Sequence, residues 1–464
     1  MSAVSAPDIN VLSDPTFRPH VHRDLLVDSA EGHRILLHPT EARWALTNDS
    51  GVQIANQLDG TRTLQQLAEE ISARAGVPAG TVLADLQGFV EQLRDANMIA
   101  NAPLPPTPML PRSTKPPSIT IYLTEQCNLR CKHCAVVEGK MPEASLTEEE
   151  IKDLIDQHTR NYTNPTVSFL GGEPMLRKEC MDLLEYAETR TNDVSISTNG
   201  LLITEELAAR FGATKYTRLQ VSLDGADPEV HDFIRGKGSF DKTWAAIERL
   251  CRHGLAPRLT ISSVLTRSAL PQIEALIERV AALNIGIVRF LNLNKMRAAY
   301  THWDAISPDP KEMGKILHHL LFEVRERYKT GPTKVLASFP GFVPNVPPKA
   351  DHPCPLGQTL IVDSLGKTYN CPIMNTPEFE IGDIRKASLS EMEQGELNQR
   401  LRREMAARRY AVPECVQCAW KNFCQGGCQA YSALRTGSVY VNDEFCELRR
   451  DLYREHVLRT ARIH

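Results

Sequence analysis

Cys127-Asn128-Leu129-Arg130-Cys131-Lys132-His133-Cys134, CNLRCKHC, follows directly on the apolar run at residues 118–123. Its spacings of four and three put three thiols on one loop, one fewer than a closed tetrahedral metal site needs. His133 is a fourth zinc donor by type. As the residue directly before Cys134, however, it is poorly placed to close a tetrahedron with all three cysteines. Three thiolates suit a cuboidal iron–sulfur cluster, in which one iron is left for a ligand from outside.

Beyond this loop, strand-like runs at 166–170, 194–198, 218–222, 258–265 and 287–291 alternate with helical periods, the first helix opening on the capping box Thr147-Glu148-Glu149-Glu150. Six such units predict an α/β fold with a parallel sheet and outer helices, either doubly wound or an incomplete barrel. In both, chemistry gathers at the C-terminal ends of the strands, where the cysteine loop lies. The later strand ends carry Gly171-Gly172-Glu173-Pro174, Ser197-Thr198-Asn199-Gly200 and Ser222-Leu223-Asp224-Gly225, followed by His231-Asp232 and Arg235-Gly236. The paired glycines permit close backbone approach to a ligand, Glu173 can accept from an ammonium group, and the short polar side chains suit a ribose. Met singly, such stretches are ordinary turns, and Asp224 and His231 read as helix braces rather than catalytic groups.

Taken in strand order behind CxxxCxxC, these motifs resemble the radical S-adenosylmethionine enzymes over most of residues 118–310. The resemblance implies a partial (β/α)6 barrel and a [4Fe–4S] cluster on Cys127, Cys131 and Cys134. It implies S-adenosylmethionine held by Gly171, Gly172, Glu173, Pro174, Ser197, Asn199, Ser222 and Arg235, with Ser222 and Arg235 at the ribose and the methionine carboxylate. The expected chemistry is hydrogen-atom abstraction by a 5′-deoxyadenosyl radical. No catalytic residue beyond the cluster is assigned.

Of the twelve cysteines, seven crowd the last quarter: Cys354, Cys371, Cys415, Cys418, Cys424, Cys428 and Cys446. Cys180 and Cys251 stand alone in helical periods and read as small buried residues. Cys415 to Cys428 alone would pass for a zinc ribbon. The whole order, with Gly366 between Cys354 and Cys371, resembles the SPASM extension and implies two auxiliary clusters, making three [4Fe–4S] clusters in all. By that resemblance Cys415, Cys418, Cys424 and Cys446 hold the distal cluster and Cys354, Cys371 and Cys428 the near one. The near cluster is then one cysteine short, with His352, Asp351, water or a substrate group open as its fourth ligand. Sulfatase maturases carry an aspartate base just after the equivalent of Cys371. Pro372 stands there instead, which argues against sulfatase oxidation by that route.

Seven prolines within residues 101–117 mark a stiff linker. Before it, strand-like pieces near 23–27, 34–37 and 43–46 precede three helical periods: Ile54 and Leu58; Leu64, Leu67 and Ile71; Val82, Leu86, Phe89, Val90 and Leu93. This order resembles the winged-helix-like peptide-recognition domain of ribosomal-peptide pathways, typified by the pyrroloquinoline quinone chaperone. It implies capture of a leader peptide as an added strand near residues 42–47. A DNA-binding winged helix is disfavoured, because residues 61–100 carry three basic side chains against five acidic ones.

The expected organisation is a peptide-recognition domain at 1–100, a linker at 101–117, a barrel at 118–310, a bridge at 311–345 and the auxiliary-cluster domain at 346–464. With 53 basic against 57 acidic residues the net charge is −4, which offers no footprint for nucleic acid or membrane. No secretory signal or apolar span is visible, so a cytoplasmic protein is expected. The function expected is modification of a precursor peptide by a carbon–carbon or thioether crosslink, with a flavodoxin- or ferredoxin-type reductant. Decarboxylation or backbone excision of a peptide, a haem-like small-molecule substrate, and a non-catalytic iron–sulfur scaffold are the alternatives.

Overall fold

The computed structural model describes residues 17–22, 24–100, 118–136, 145–162, 164–339, 342 and 359–461. The linker at 101–117 and Asp351, His352 and Cys354 lie outside them.

Three antiparallel strands, β2 (Leu26–Ala30), β3 (His33–Leu37) and β4 (Trp44–Thr47), precede helices α1 (Asp49–Ala55), α2 (Leu64–Ala75) and α3 (Ala79–Asp95). A short ribbon, β1 (His20–Val21) with β5 (Ile99–Ala100), ties the ends of this unit together. Thr63 and Gln66 form a reciprocal capping box on α2, and Gly76 ends that helix in the left-handed region at φ 70°. The consecutive run Ile35-Leu36-Leu37 is buried throughout, which a period-2 strand achieves only when both sheet faces are covered. Leu36 and Ala45 pack with Leu64, Leu67, Leu86 and Val90. Ile35 and Leu37, with Leu26, Trp44 and Leu46, join the main core with Trp420, Phe423, Leu452 and Tyr453 of the C-terminal region.

The second sheet has ten strands. The six expected from sequence are β6 (Ser118–Tyr122), β7 (Thr166–Leu170), β8 (Val194–Thr198), β9 (Thr217–Ser222), β10 (Leu259–Val264) and β11 (Ile287–Leu291). Beyond them come β12 (Lys334–Ser338), β13 (Thr359–Val362), β14 (Lys367–Tyr369) and β15 (Gly382–Asp383). The order is β12-β11-β10-β9-β8-β7-β6-β13-β14-β15, parallel from β12 to β13 and antiparallel thereafter. From β6 to β12 the order advances one strand at a time without reversing. A doubly wound sheet turns back at a switch point, so this is an open barrel. Ile119, Val167, Ile196, Val221, Ile261 and Val288 face the helices in one core. The alternate residues Ser168, Ser195, Ser197, Gln220, Ser222 and Ser262 therefore line the lumen, which is polar.

Candidate active site

The cysteine loop is fastened to its neighbour by backbone. Gly172 N–H donates to Thr124 O at 2.8 Å and Glu173 N–H to Gln126 O at 2.7 Å. A β-carbon on Gly171 would stand 2.3 Å from Thr124 O, and one on Gly172 2.2 Å from Gln126 O. The two glycines thus allow the second strand end to close against the segment leading into Cys127, where the sequence suggested closeness to a ligand.

Glu173 is fully buried. Its Oε1 accepts from Thr198 Oγ1 at 2.7 Å and Met175 N–H at 3.1 Å, and its Oε2 from Asn199 N–H at 2.8 Å. Burial pushes its carboxyl up, and these donors work against that. One acceptor position stays open on Oε2. Asn199 Nδ2 donates to Asn128 Oδ1 at 2.7 Å and lies 3.8 Å from Cys127 Sγ, so the third strand end also reaches the cysteine loop. Pro174 opens a 3-10 turn, Pro174–Leu176, beneath the site. Ser197 and Ser222 sit on the lumen face, Ser222 in register with Ser262.

On the other side of the loop Asp224 is the centre of a buried charge network. Its Oδ2 takes Arg235 Nε at 2.6 Å and pairs with His133 Nε2 at 2.7 Å, while Oδ1 takes Val264 N–H at 2.9 Å. Burial would raise its carboxyl, but Arg235 and His133 outweigh that and hold it far below the usual range. His133 is therefore committed to Asp224. Arg235 Nη1 lies 3.9 Å from Cys131 Sγ. His231 Nδ1 accepts the Asp224 N–H at 3.1 Å, and Asp232 accepts from Gly238 and Phe240 N–H to start the next helix.

The three thiols fit an iron–sulfur cluster by their surroundings. Leu129 N–H points at Cys127 Sγ at 3.4 Å, Val136 N–H at Cys134 Sγ at 3.5 Å, and Arg235 at Cys131 Sγ. Each sulfur has a donor, as thiolate charge requires. Burial pushes the Cys131 thiol up to about 11, although Arg235 works against it. Among the described residues no three His, Cys, Asp or Glu side chains converge as a single bound ion requires.

In the C-terminal region the thiols fall into two groups. Burial pushes Cys415 up to about 12, and Cys424, Cys446 and Cys418 each add to it. Burial raises Cys428 to about 11; the backbone of Tyr431 opposes this and Cys371 adds to it. Two residues that no motif flagged stand between the groups. Asp443 accepts the Cys428 N–H at 2.6 Å and pairs with Arg449, whose charge is supported by Cys424. Gly427 makes room for them, since a β-carbon there would stand 2.3 Å from Arg449 Nη2. Arg449 lies three residues after Cys446, the only sequence signal it offers. Tyr431, one helical turn past Cys428, accepts from Asn292 Nδ2 at 3.0 Å and donates to Asn294, both just beyond β11.

An open parallel barrel with three cysteines behind its first strand, and glycine, acid and amide groups at the next ends, defines a radical S-adenosylmethionine enzyme. Comparison with known proteins agrees. The chain matches the radical SAM superfamily over residues 121–280, coenzyme PQQ synthesis protein D (PqqD) over 34–99, and the SPASM iron–sulfur cluster-binding domain over 354–419. It is 32% identical over 321 residues to the mycofactocin maturase MftC of Mycolicibacterium smegmatis, covering 68% of this chain and 78% of that one. Its fold is shared with anSMEcpe bound to AdoMet, at TM-score 0.60 and 20% identity over 75% of this chain and 98% of that one. It is shared also with Streptococcus suis SuiB bound to the precursor peptide SuiA, at TM-score 0.59 and 15% identity over 92% and 100%. The chain belongs to the radical SAM superfamily, in the group that includes the mycofactocin maturases, and carries PqqD and SPASM domains. It uses S-adenosylmethionine and iron–sulfur clusters. Among the described residues no helix is long and apolar enough to cross a membrane.

Proposed function

We propose that this enzyme matures a ribosomally made peptide, gripping the precursor's leader with residues 20–100 and modifying its core at the barrel mouth. The observation that carries the reading is the exposed ladder of β4. His38 N–H donates to Arg43 O opposite it, which sets the alternation of the antiparallel pair. Ala45 and Thr47 then bond to β3, while Trp44 and Leu46 turn their backbone groups outward. Only the Leu46 carbonyl is occupied among the contacts described there, by Gln92 Nε2 of α3 at 2.9 Å. An extended leader fits between β4 and α3 by adding a strand and displacing Gln92. SuiB, of the same fold, binds a precursor peptide, which supports the reading.

Cys127, Cys131 and Cys134 hold the barrel cluster in this reading. Cys415, Cys418, Cys424 and Cys446 hold the distal auxiliary cluster, and Cys354, Cys371 and Cys428 the near one. Bound, these groups and S-adenosylmethionine supply a 5′-deoxyadenosyl radical for hydrogen abstraction and an acceptor for the electron that bond closure releases. The open position on Glu173 Oε2 takes the methionine ammonium, Arg235 its carboxylate, and Ser197 and Ser222 the ribose. Gly171, Gly172, Pro174 and Asn199 hold this wall in place. A carbon–carbon or thioether crosslink is the product class, with a flavodoxin- or ferredoxin-type reductant.

The test is anaerobic reconstitution with dithionite, S-adenosylmethionine and each short peptide that a search of the neighbouring reading frames turns up. The expected products are 5′-deoxyadenosine and a peptide lighter by two hydrogen atoms. Unchanged peptide mass, or undiminished precursor binding after deletion of residues 1–100, overturns the reading.

A further inference from the structure

Arg289 stands on β11 between Val288 and Phe290, both fully buried against the helices, so its side chain springs from the lumen face. In register it lies beside Ser262 of β10, which lies beside Ser222, the last residue of β9. Two strand spacings, about 10 Å, therefore separate it from the side chain expected at the ribose. Arg289 is half-buried, and among the described residues its guanidinium has no hydrogen-bond or ion-pair partner. The charge that acts on it is Arg218 of the same face, which repels it and is itself paired with Asp193. From β6 to β11 the lumen face carries no aspartate or glutamate to answer it. Ser262 is 4% exposed, and its Oγ also lacks a partner. A guanidinium keeps its proton when buried, and folds rarely bury such a charge unpaired. Here the counter-charge is missing, at the end of the barrel where the strand-end motifs gather.

We infer that Arg289 binds a carboxylate of the substrate peptide inside the barrel and thereby fixes which part of the peptide faces the cofactor. The inference rests on the peptide-maturation reading. A guanidinium takes a carboxylate through two parallel N–H bonds, so it sets direction as well as place. Hydrogen abstraction gains from such a clamp, because the reacting carbon must be held close and aligned. The C-terminus of the peptide and an acidic side chain of its core offer the same chemistry.

The test uses full-length reconstituted enzyme with the short peptides of the neighbouring reading frames. Each is supplied in native form, with its C-terminus amidated, and with its core Asp and Glu replaced by Asn and Gln. In Arg289→Met the KM for the modified peptide should rise at least tenfold, and more 5′-deoxyadenosine should form per peptide modified. Arg289→Lys, which keeps the charge without the fork, should recover part of both. One of the two neutralised peptides should lose the same factor with wild type and nothing further with Arg289→Met. Which peptide does so names the source of the carboxylate. Unchanged KM and coupling in a fully iron-loaded Arg289→Met enzyme overturn the inference. So does a matching loss of S-adenosylmethionine affinity in calorimetry, which would make Arg289 a cofactor ligand. Should the methionine variant fail to load iron, wild type decides: a tenfold loss with one neutralised peptide supports the inference, and equal turnover of all three forms overturns it. The parent reading fails separately, when wild type modifies none of the peptides, and takes the inference with it.

Discussion

Asp28 on β2 is clasped by Arg454, from the last helix (Cys446–Ala461), through two parallel hydrogen bonds, Nε to Oδ2 at 2.8 Å and Nη2 to Oδ1 at 3.0 Å. Trp420 Nε1 donates to the same Oδ2 at 2.5 Å, and Asn422 Nδ2 reaches His38 O at 3.1 Å. The N-terminal three-stranded sheet is therefore bolted to the segment that carries Cys415, Cys418 and Cys424. Asp28→Ala should loosen this joint by about 1.5–3 kcal/mol, the range for hydrogen bonds to a charged group. Hydrogen exchange should rise in β2 to β4 and around Trp420. Cleavage of S-adenosylmethionine without peptide should stay unchanged.

The Asp224–Arg235 pair predicts a larger effect. Both side chains are buried, and Asp224→Asn would leave the guanidinium without its counter-charge. Breaking such a pair typically costs roughly 3–5 kcal/mol. Chemical denaturation of the variant should show a loss of that order. Because Arg235 also faces Cys131, the variant should incorporate less iron at the barrel site than wild type under the same reconstitution.

The barrel strands were legible because each parallel strand is a short run with buried apolar alternates bounded by turn residues, and all six lie within a residue or two of their expected positions. β12 and β13 escaped. Lys334–Ser338 and Thr359–Val362 gain their strand character by pairing with β11 and β6, partners that no local pattern reveals. The sequence placed Glu173 and Asn199 at neighbouring strand ends, but their hydrogen bond depends on how two loops close. Asp28 offers no local signal of its role, since its partner Arg454 is 426 positions away. Local periodicity carries elements; long-range polar pairs appear only when the elements meet.

Titration of His231 gives a pH prediction with a definite sign. Burial lowers its pKa to about 4, and its Nδ1 is occupied by the Asp224 N–H, so the ring is neutral in the folded protein. In the unfolded chain it takes a proton near pH 6.5. The unfolded state thus binds more protons between these values, and stability present above about pH 6.5 falls as pH drops toward 4, by about 3 kcal/mol for this group. His231→Asn, which keeps an acceptor and cannot titrate, should flatten that part of the stability curve. A slope as steep in the variant as in wild type would assign the effect elsewhere.

Gly172→Ala tests whether the glycine pair serves the loop contact. The added methyl would stand 2.2 Å from Gln126 O, 2.6 Å from its carbon and 2.8 Å from Glu125 O, all backbone atoms. A flexible side chain could swing away, but here one of the two loops must move, and with it the Glu173 N–H bond that sets the approach to Cys127. Binding of S-adenosylmethionine, followed by calorimetry on the reconstituted enzyme, should weaken at least tenfold, which corresponds to about 1.4 kcal/mol. The distal cysteines Cys415, Cys418, Cys424 and Cys446 belong to another part of the chain, so the auxiliary signals in the same sample should keep their intensity. Loss of those signals together with cofactor binding would mean that the substitution unfolds the protein rather than displaces one loop.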